Sequence, residues 1–555
     1  MEWYAHIFEN PFYEFAIILL MAALLGLVGQ FLKQPLIVIF IGLGILVGPS
    51  VFNIVRSFEN IKLLAEIGIA VLLFIVGLKL DLRLIKSTGK VALMTGLGQV
   101  LFTSLIGYFI GLALGFSSLH SFYIAVALTF SSTIIIVKLL SDKKEIDSLH
   151  GQIAIGFLIV QDIVVILVMI ALSAMNKHDA SELGLAADIF KTFLSGAALV
   201  GITFLMMKLV LPRMSFYLAK SQELLTLFAI AWAISLASIS ELIGFSPEVG
   251  AFMAGVSLAS SQFKDVISSR LNSLRDFLLL FFFVNLGSNL NLGLIGDQIP
   301  SALVFSFFVL IGNPIIVLII MGAMGYRKRT SFLAGLTVAQ ISEFSLIFAS
   351  LGLAVGHLNE EVVGLITVVG LVTIGLSTYL ILYSHQIYEW IAPALSVFER
   401  KNPFREINIA QGDDINYQII IFGLGRFGGR LADRLDKHSA INYLAVDFDP
   451  QVVAQWREKG KRVIYGDVED PEILEQIPFQ QSSCVVCTVQ FAEYAIALVK
   501  KLREHNYQGK IFLMLTTEQN VDLFNDLEGV ELLFPYEMAA TNFYNAFIPK
   551  LLDKG

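Results

Sequence analysis

The amino-acid sequence predicts an all-α polytopic membrane domain followed by a Rossmann-like α/β domain. Of its 555 residues, 56% are hydrophobic and only 15% are charged, whereas about a quarter of the residues in soluble proteins are charged. Long apolar runs continue to about residue 395, and from Glu399 onward the composition is that of a soluble domain. We therefore predict a membrane domain over 1–395, a linker over 396–416 and a soluble domain over 417–555.

Thirteen apolar runs can each supply a membrane span, which needs about 20 apolar residues. Lys and Arg are concentrated in the loops after odd-numbered runs. Because positively charged loops stay in the cytoplasm, the N-terminus is expected outside and the soluble domain inside. The opening residues lack the features of a cleavable signal peptide, so the first run should remain a span. The predicted spans are 14–32, 35–52, 61–79, 91–115, 121–140, 151–174, 188–211, 223–242, 246–260, 275–293, 301–325, 331–355 and 362–386.

The membrane part also contains an internal repeat. Residues 77–85 resemble residues 287–295 at an offset of 210, and Ser121 matches Ser331 at the same offset. Since this offset covers seven predicted spans, the two halves would have opposite orientations. Inverted repeats are typical of secondary transporters, whose binding sites lie between the halves near the bilayer midplane.

An acidic residue lies near the centre of span six. Gln161 and Asp162 stand in an apolar run with no basic residue within a helical turn, and an acid at that depth costs roughly 2.5–3.5 kcal/mol on insertion scales. Burial favours the protonated form of a carboxyl group, so this side chain can exchange a proton for a cation. Binding one or the other, never both, is the simplest basis for antiport. Gln161 would add a carbonyl ligand, and a purely structural role for Asp162 is the alternative.

Spans five and twelve are interrupted by polar residues at matching depth, and the repeat offset aligns Thr133 with Glu343. Interrupted helices present carbonyls and hydroxyls to a cation near the midplane. Hydroxyls can instead bond to their own backbone, and Glu343 can instead form an ion pair with Lys79, Lys138 or Arg275. The residues predicted to bind the ion or couple it to protons are Asp162, Gln161, Thr129, Ser131, Ser132, Thr133 and Glu343.

The soluble part begins with a nucleotide-binding pattern. Gly423, Gly425 and Gly428 form GxGxxG between a predicted strand and a predicted helix, so a phosphate can bind at the helix N-terminus. Asp447 ends the second strand, where a ribose-binding acid is expected, although it can also be an exposed turn acid. The full predicted set is Gly423, Gly425, Arg426, Phe427, Gly428, Asp447 and Asp467.

The sequence gives less support to redox chemistry, transition-metal binding or nucleic-acid binding. Cys484 and Cys487 lie on a predicted strand and are expected in the core rather than in a redox or metal pair. The eight His residues show no paired ligand spacing, so no transition-metal site is predicted. The net charge of −8 argues against nucleic acid as a partner.

Several motifs together resemble the monovalent cation:proton antiporter superfamily, in particular its Kef-type potassium efflux branch. They are QPLIVIFIGLGILVGP, FIVGLKLDL, the QD pair of span six, SPEVGAFMAGVSL, FFFVNLGSNL, AQISEFS, GLGRFGG and VIYGD. The resemblance implies K+ efflux coupled to proton entry across the cell inner (plasma) membrane, with K+ bound at Asp162 and Gln161. It also implies a homodimer formed through the membrane domain and a regulator-of-potassium-conductance (RCK) domain that binds AMP or NAD(H).

Two departures from that family modify the expectation. Many relatives carry a Lys in span eleven where Asn313 stands, so its absence here resembles electroneutral exchange. Thr516 and Thr517 replace the arginines of glutathione-gated members, so gating by glutathione is not expected. The need for an accessory regulatory subunit stays open.

Three other functions are alternatives. A Na+/H+ antiporter of the same fold is the close alternative, because ion selectivity depends on sub-ångström geometry. An RCK-gated potassium channel needs a filter such as TVGYG, which the sequence lacks. A membrane-anchored nicotinamide oxidoreductase would need a catalytic domain after the nucleotide fold, and the sequence after GxGxxG offers little room for one.

Overall fold

The computed structural model describes two compact units, a mainly N-terminal one of helices that ends at Glu399 and a mainly C-terminal one, from Arg400, that contains a sheet. The residues described are 10–79, 89–175, 201, 203, 205, 206, 208, 221–243, 245–290, 292–400, 417–438, 441–468, 474, 477–489, 492–515, 524 and 529–552. Most of predicted span seven (188–211), Thr516 and Thr517 lie outside them, as does most of the linker.

The first unit is entirely helical in its described part. Seven of its described helices are long and apolar enough to cross a bilayer, so the count of thirteen spans stays a prediction. The helices are α1 Pro11–Phe31, α2 Leu36–Val47, α3 Phe58–Lys79, α4 Gly89–Ala113, α5 Ser118–Ala127, α6 Thr133–Asp142, α7 Leu149–Met175, α8 Gln222–Leu242, α9 Pro247–Leu258, α10 Lys264–Ser288, α11 Leu292–Phe307, α12 Asn313–Ala323, α13 Lys328–Leu336, α14 Glu343–Ala354, α15 Glu360–Leu382 and α16 Ser384–Leu395. A π-helical turn, Phe308–Gly312, joins α11 to α12, and a 3-10 turn, Ser396–Phe398, follows α16.

Two of the predicted spans are broken in the middle, as their polar residues indicated. Residues 128–132 separate α5 from α6, and residues 337–342 separate α13 from α14. Ser132 caps α6 by accepting a hydrogen bond from the amide of Ile135, and Ser342 caps α14 by accepting one from Phe344. We call 128–132 the first break and 337–342 the second break. Each is followed by a half-helix whose N-terminus carries a capping serine.

Helix packing in this unit is reciprocal between the two halves of the repeat. A Cβ added to Gly77 on α3 would lie 2.3 Å from the carbonyl oxygen of Phe252 on α9. A Cβ added to Gly287 on α10 would lie 2.3 Å from the carbonyl oxygen of Ile41 on α2. Gly77 and Gly287 are equivalents at the 210-residue offset, and each contacts the other half. This exchange of contacts is what a pseudo-two-fold axis requires.

The second unit is built on a six-stranded parallel sheet with the order β3-β2-β1-β4-β5-β6. Alternate residues of β1 pack into different clusters, Ile420 and Phe422 into one and Ile421 into the other, so the sheet is covered on both faces. Its elements are β1 Ile419–Phe422, α17 Arg426–Leu435, β2 Tyr443–Asp447, α18 Pro450–Glu458, β3 Val463–Tyr465, β4 Cys484–Cys487, α19 Ala492–Glu504, β5 Lys510–Met514, β6 Val530–Leu533 and α20 Pro535–Leu552.

The two cysteines are free thiols on β4. Cys487 is fully buried among Ile420 and Leu498, and burial raises its pKa to about 12. Cys484 is half-buried, and burial raises its pKa as well. Neither thiol therefore has the lowered pKa of a reactive cysteine.

Candidate functional site

Asp162 lies at mid-length on α7, beside the start of α6. Its Oδ2 accepts a hydrogen bond of 2.8 Å from Oγ1 of Thr133, the first residue of that half-helix. The side chain of Asp162 is partly buried, and no Lys or Arg of the described chain pairs with it. The carboxylate is therefore held at a half-helix N-terminus, where the helix dipole favours negative charge, and is not locked to a base.

Gln161 connects α7 to the first break and to α4. Its Nε2 donates to Oε1 of Gln99 at 2.7 Å, and its Oε1 accepts from the backbone amide of Ser131 at 3.2 Å. The side chain is fully buried. One acceptor position of the Gln161 oxygen is thus occupied by the protein, and one remains.

The four hydroxyls around the first break have different partners. Thr129 bonds to the carbonyl oxygen of Ala125 on its own helix at 2.8 Å, and Ser132 caps α6. The Oγ of Ser131, in contrast, is buried with no hydrogen-bond partner in the described structure. Local backbone bonding accounts for Thr129 and Ser132. Thr133 instead donates to Asp162, and the Ser131 hydroxyl has no partner among the described residues.

Glu343 is buried as the first residue of α14. Its Oε2 accepts a hydrogen bond from Ser342 at 3.4 Å. Of the three bases predicted as possible partners, Arg275 binds the neighbouring Asp276 at 2.7 Å, and Lys79 and Lys138 are exposed. No basic side chain in the described ranges forms an ion pair with Glu343.

The second break also contains an unsatisfied polar group. Oε1 of Gln340 accepts from Ser377 on α15 at 2.8 Å, while its Nε2 is buried without a partner among the residues described. Each break therefore has one buried polar atom for which the surrounding described structure provides no hydrogen bond.

Sequence reasoning missed Gln99 and Thr103 on α4. Both are fully buried, and Gln99 donates to the carbonyl oxygen of Thr129 in the first break at 3.1 Å. Their spacing of four residues places them on one helix face. That pattern could have identified them.

The predicted nucleotide-binding residues gather at the carboxyl edge of the sheet, next to the point where strand order reverses between β1 and β4. Gly423 has φ +94°, and a Cβ on Gly428 would lie 1.9 Å from the carbonyl oxygen of Gly423, so the turn needs both glycines. Gly425 and Arg426 are exposed where α17 begins, and Phe427 is partly buried.

Asp447 is held by backbone amides at the end of β2. Its Oδ2 accepts from Leu424 at 2.5 Å and its Oδ1 from Asp449 at 2.9 Å. Burial raises the pKa of Asp447, and the amide donors oppose that rise. Asp467 lies two residues beyond β3 at the same edge. Thr488, which sequence reasoning missed, donates to the carbonyl oxygen of Gly423 at 2.9 Å.

Residues 16–382 match the transmembrane sodium/hydrogen exchanger family. The chain belongs to that family. Residues 419–534 match the TrkA-N domain, as the resemblance to Kef-type antiporters with an RCK domain predicted. The chain is therefore a multi-pass membrane protein and a cation/proton antiporter, a transporter and not an enzyme. The channel and oxidoreductase alternatives are wrong.

Three curated relatives of this chain are named as different kinds of cation transporter. The cation/proton antiporter YbaL of Escherichia coli (strain K12) is 27% identical over 88% of this chain and 88% of its own length. The iron transporter MagA of Paramagnetospirillum magneticum is 30% identical over 66% of this chain and 83% of its own length. The K(+) efflux antiporter KefB of Alkalimonas amylolytica is 28% identical over 84% of this chain and 71% of its own length.

Proposed function

We propose that this antiporter moves K+ out of the cell in exchange for protons, with Asp162 as the shared binding group. The observation that carries the proposal is the placement of Asp162: it is bonded to Thr133 at a half-helix N-terminus and is free of any described base. K+ as substrate is supported by relatives named as K+ efflux antiporters. Na+ in place of K+ is the nearest alternative.

The exchange cycle follows from one carboxyl group with two exclusive partners. When Asp162 binds a proton, its charge is neutralised and a cation loses its main attraction. When the proton leaves, the carboxylate, the Ser131 hydroxyl and the Gln161 oxygen are available to the cation. Glu343 lies at the start of the other half-helix, and we propose that it takes part in proton handling.

Electroneutral exchange is part of the proposal. Span eleven provides Asn313, whose buried amide carries no charge, so no amine there changes its protonation as the cation binds. One proton for one cation at Asp162 leaves the net charge of the site unchanged.

The experiment is cation/proton exchange in proteoliposomes with K+ or Na+ as the substrate. Asp162→Asn keeps the size of the side chain and removes its charge, so we expect a folded protein with no proton-coupled K+ flux. Asp142→Asn makes the same chemical change at an exposed position on α6 and should exchange normally. Undiminished flux in Asp162→Asn would refute the proposal, and faster exchange of Na+ than K+ would reassign the substrate.

We also propose that the TrkA-N unit binds an adenine nucleotide, AMP or NAD(H), and thereby regulates transport. Support comes from the exposed helix start at Gly425 and Arg426 beside the two constrained glycines. Binding of each nucleotide can be measured by calorimetry. A Gly428→Ala variant should lose it, because the added methyl group would clash with the carbonyl oxygen of Gly423.

The remaining assignments complete the proposal. We propose the domain boundaries 1–395, 396–416 and 417–555, an inner-membrane location, an external N-terminus and a cytoplasmic TrkA-N unit. A homodimer is supported by the exposed aromatic side chains of α20, among them the stacked Phe543 and Phe547 with ring centroids 5.1 Å apart, because exposed apolar patches of this kind favour association. Measuring the mass of the detergent-solubilised protein tests the dimer.

A further inference from the structure

A chain of hydrogen bonds between uncharged side chains connects the two breaks to Gln161, the residue beside Asp162. Its members are Gln99 and Thr103 on α4, Gln161 on α7 and Asn313 at the start of α12. All four are fully buried. Only Gln161 belongs to the predicted ion site, so the other three need a separate explanation.

The hydrogen bonds of this chain run without interruption. Gln161 donates to Gln99 at 2.7 Å, and Nε2 of Gln99 donates to Oγ1 of Thr103 at 3.1 Å. Oγ1 of Thr103 donates to Oδ1 of Asn313 at 3.0 Å. Nδ2 of Asn313 then donates to the carbonyl oxygens of Leu128 at 3.1 Å and Val338 at 3.5 Å. One amide group therefore bonds to the first break and to the second.

The positions of these groups agree with the internal repeat. Thr103 and Asn313 are 210 residues apart, and so are Leu128 and Val338, which is the offset that aligns Gly77 with Gly287. A residue that contacts its own equivalent lies at the pseudo-two-fold axis. Asn313 is therefore at the axis, and its two N–H donors match two equivalent carbonyl groups.

Both carbonyl groups need such a donor. Leu128 is the residue after α5 and Val338 follows the end of α13, so neither has the ordinary partner within its helix. In the apolar interior of a membrane, an unsatisfied carbonyl is costly. The π-helical turn that ends directly before Asn313 sets its position between the two breaks, and turns of this kind recur at functional sites.

We propose that Asn313 is a positioning residue for antiport. It holds the two unwound segments together at the axis and, through Thr103 and Gln99, keeps Gln161 bonded to Ser131 beside Asp162. Asn313 itself does not touch the cation. The proposal rests on the proposed role of Asp162, because the position it maintains is that of the ion site.

The test compares four variants in proteoliposome exchange. Asn313→Ala removes the donor to both breaks, and we expect about a tenfold lower maximal rate from the loss of these buried hydrogen bonds. Thr103→Val keeps the shape of the side chain and removes its hydroxyl, which should lower the maximal rate about threefold. Thr103→Ser keeps the hydroxyl, so its maximal rate should match that of the unmodified protein. Ser306→Ala is the matched control: Ser306 is buried on α11, and its Oγ has no hydrogen-bond partner in the described part of the chain.

A double-variant cycle separates positioning from general loss of stability. If Asn313 and Thr103 act through one chain of hydrogen bonds, the combined variant should be little slower than Asn313→Ala, because the second change breaks a chain already interrupted. If the rate losses of the two single variants multiply in the combined variant, a shared chain of hydrogen bonds is contradicted. The maximal rate should fall more than the apparent cation affinity changes, whereas a merely structural defect would lower the amount of folded protein and leave the rate per folded molecule unchanged.

The outcomes distinguish this proposal from the function on which it rests. If Asp162→Asn is inactive and Asn313→Ala exchanges like Ser306→Ala, the positioning role is refuted and the antiport site stands. If Asp162→Asn still exchanges, the proposed function itself fails. Should Asn313→Ala not fold, the Thr103 pair decides, and equal rates for Thr103→Val and Thr103→Ser would overturn the proposal.

Discussion

The two breaks have the same place in the two halves of the repeat but different chemistry. In the first break, Ser132 caps the following half-helix and Thr133 is its first residue, bonded to Asp162. In the second, Ser342 provides the cap and the first residue is the buried acid Glu343. One backbone arrangement thus presents a neutral donor on one side and a second carboxyl group on the other. The repeat provides the geometry, and single side chains decide what each half does.

The largest expected effect tests the acidic side of this comparison. Glu343→Gln should slow exchange about tenfold and make its pH dependence shallower, because it removes the carboxyl group proposed to take part in proton handling. Rates measured across a pH series in proteoliposomes check this. Glu361→Gln is the control, since Glu361 also lies in the first turn of a helix but is exposed. An unchanged pH profile for Glu343→Gln would assign that residue a structural role.

The neutral side of the comparison predicts the next largest effect. Thr133→Val removes the hydroxyl that donates to Asp162 and should weaken the apparent cation affinity about five- to tenfold, since hydrogen bonds to charged groups are the stronger ones. Thr129→Val should have a smaller effect, because that hydroxyl bonds to its own helix and to Ser104. The measurement is the cation dependence of the exchange rate. Equal effects of the two variants would contradict a specific role for Thr133.

A smaller effect separates two adjacent serines in the first half. Ser131→Ala should weaken cation affinity about twofold without destabilising the fold, because the Ser131 Oγ has no partner to lose among the described residues. Ser132→Ala should instead cost about 1 kcal/mol of stability through the lost helix cap, with affinity unchanged. Thermal unfolding and exchange kinetics on both variants check this, and a reversed pattern would exclude Ser131 as a ligand.

The smallest expected effect lies in the TrkA-N unit, outside both breaks. Burial raises the pKa of Cys487 to about 12 and also raises that of Cys484, so in the folded protein at pH 8 both thiols should react slowly with iodoacetamide. Denaturation should make both react fully. Rapid labelling of Cys487 in the folded protein would show that the core of the sheet opens.

Much of this architecture could be predicted because its signals are local. An acid in an apolar run, polar interruptions in spans five and twelve, and glycines between a strand and a helix each indicate structure within a few residues. The matching segments at an offset of 210 residues indicated the repeat, but not the reciprocal contacts that Gly77 and Gly287 make across it. Local pattern could not tell which of the four hydroxyls at the first break bonds to its own helix, because Thr129 and Ser131 are both polar residues in the same short segment.

The sequence by itself determined the membrane class, the acid at position 162, the two interruptions and the nucleotide fold, because composition and spacing carry that information. Only the tertiary structure decided that Asn313 bonds to both breaks, that Gln99 holds Gln161, and that Asp447 caps the glycine turn. These bonds join residues from 23 to 185 positions apart. A buried amide takes whichever donor or acceptor the packing brings within about 3 Å, and no local pattern specifies that neighbour.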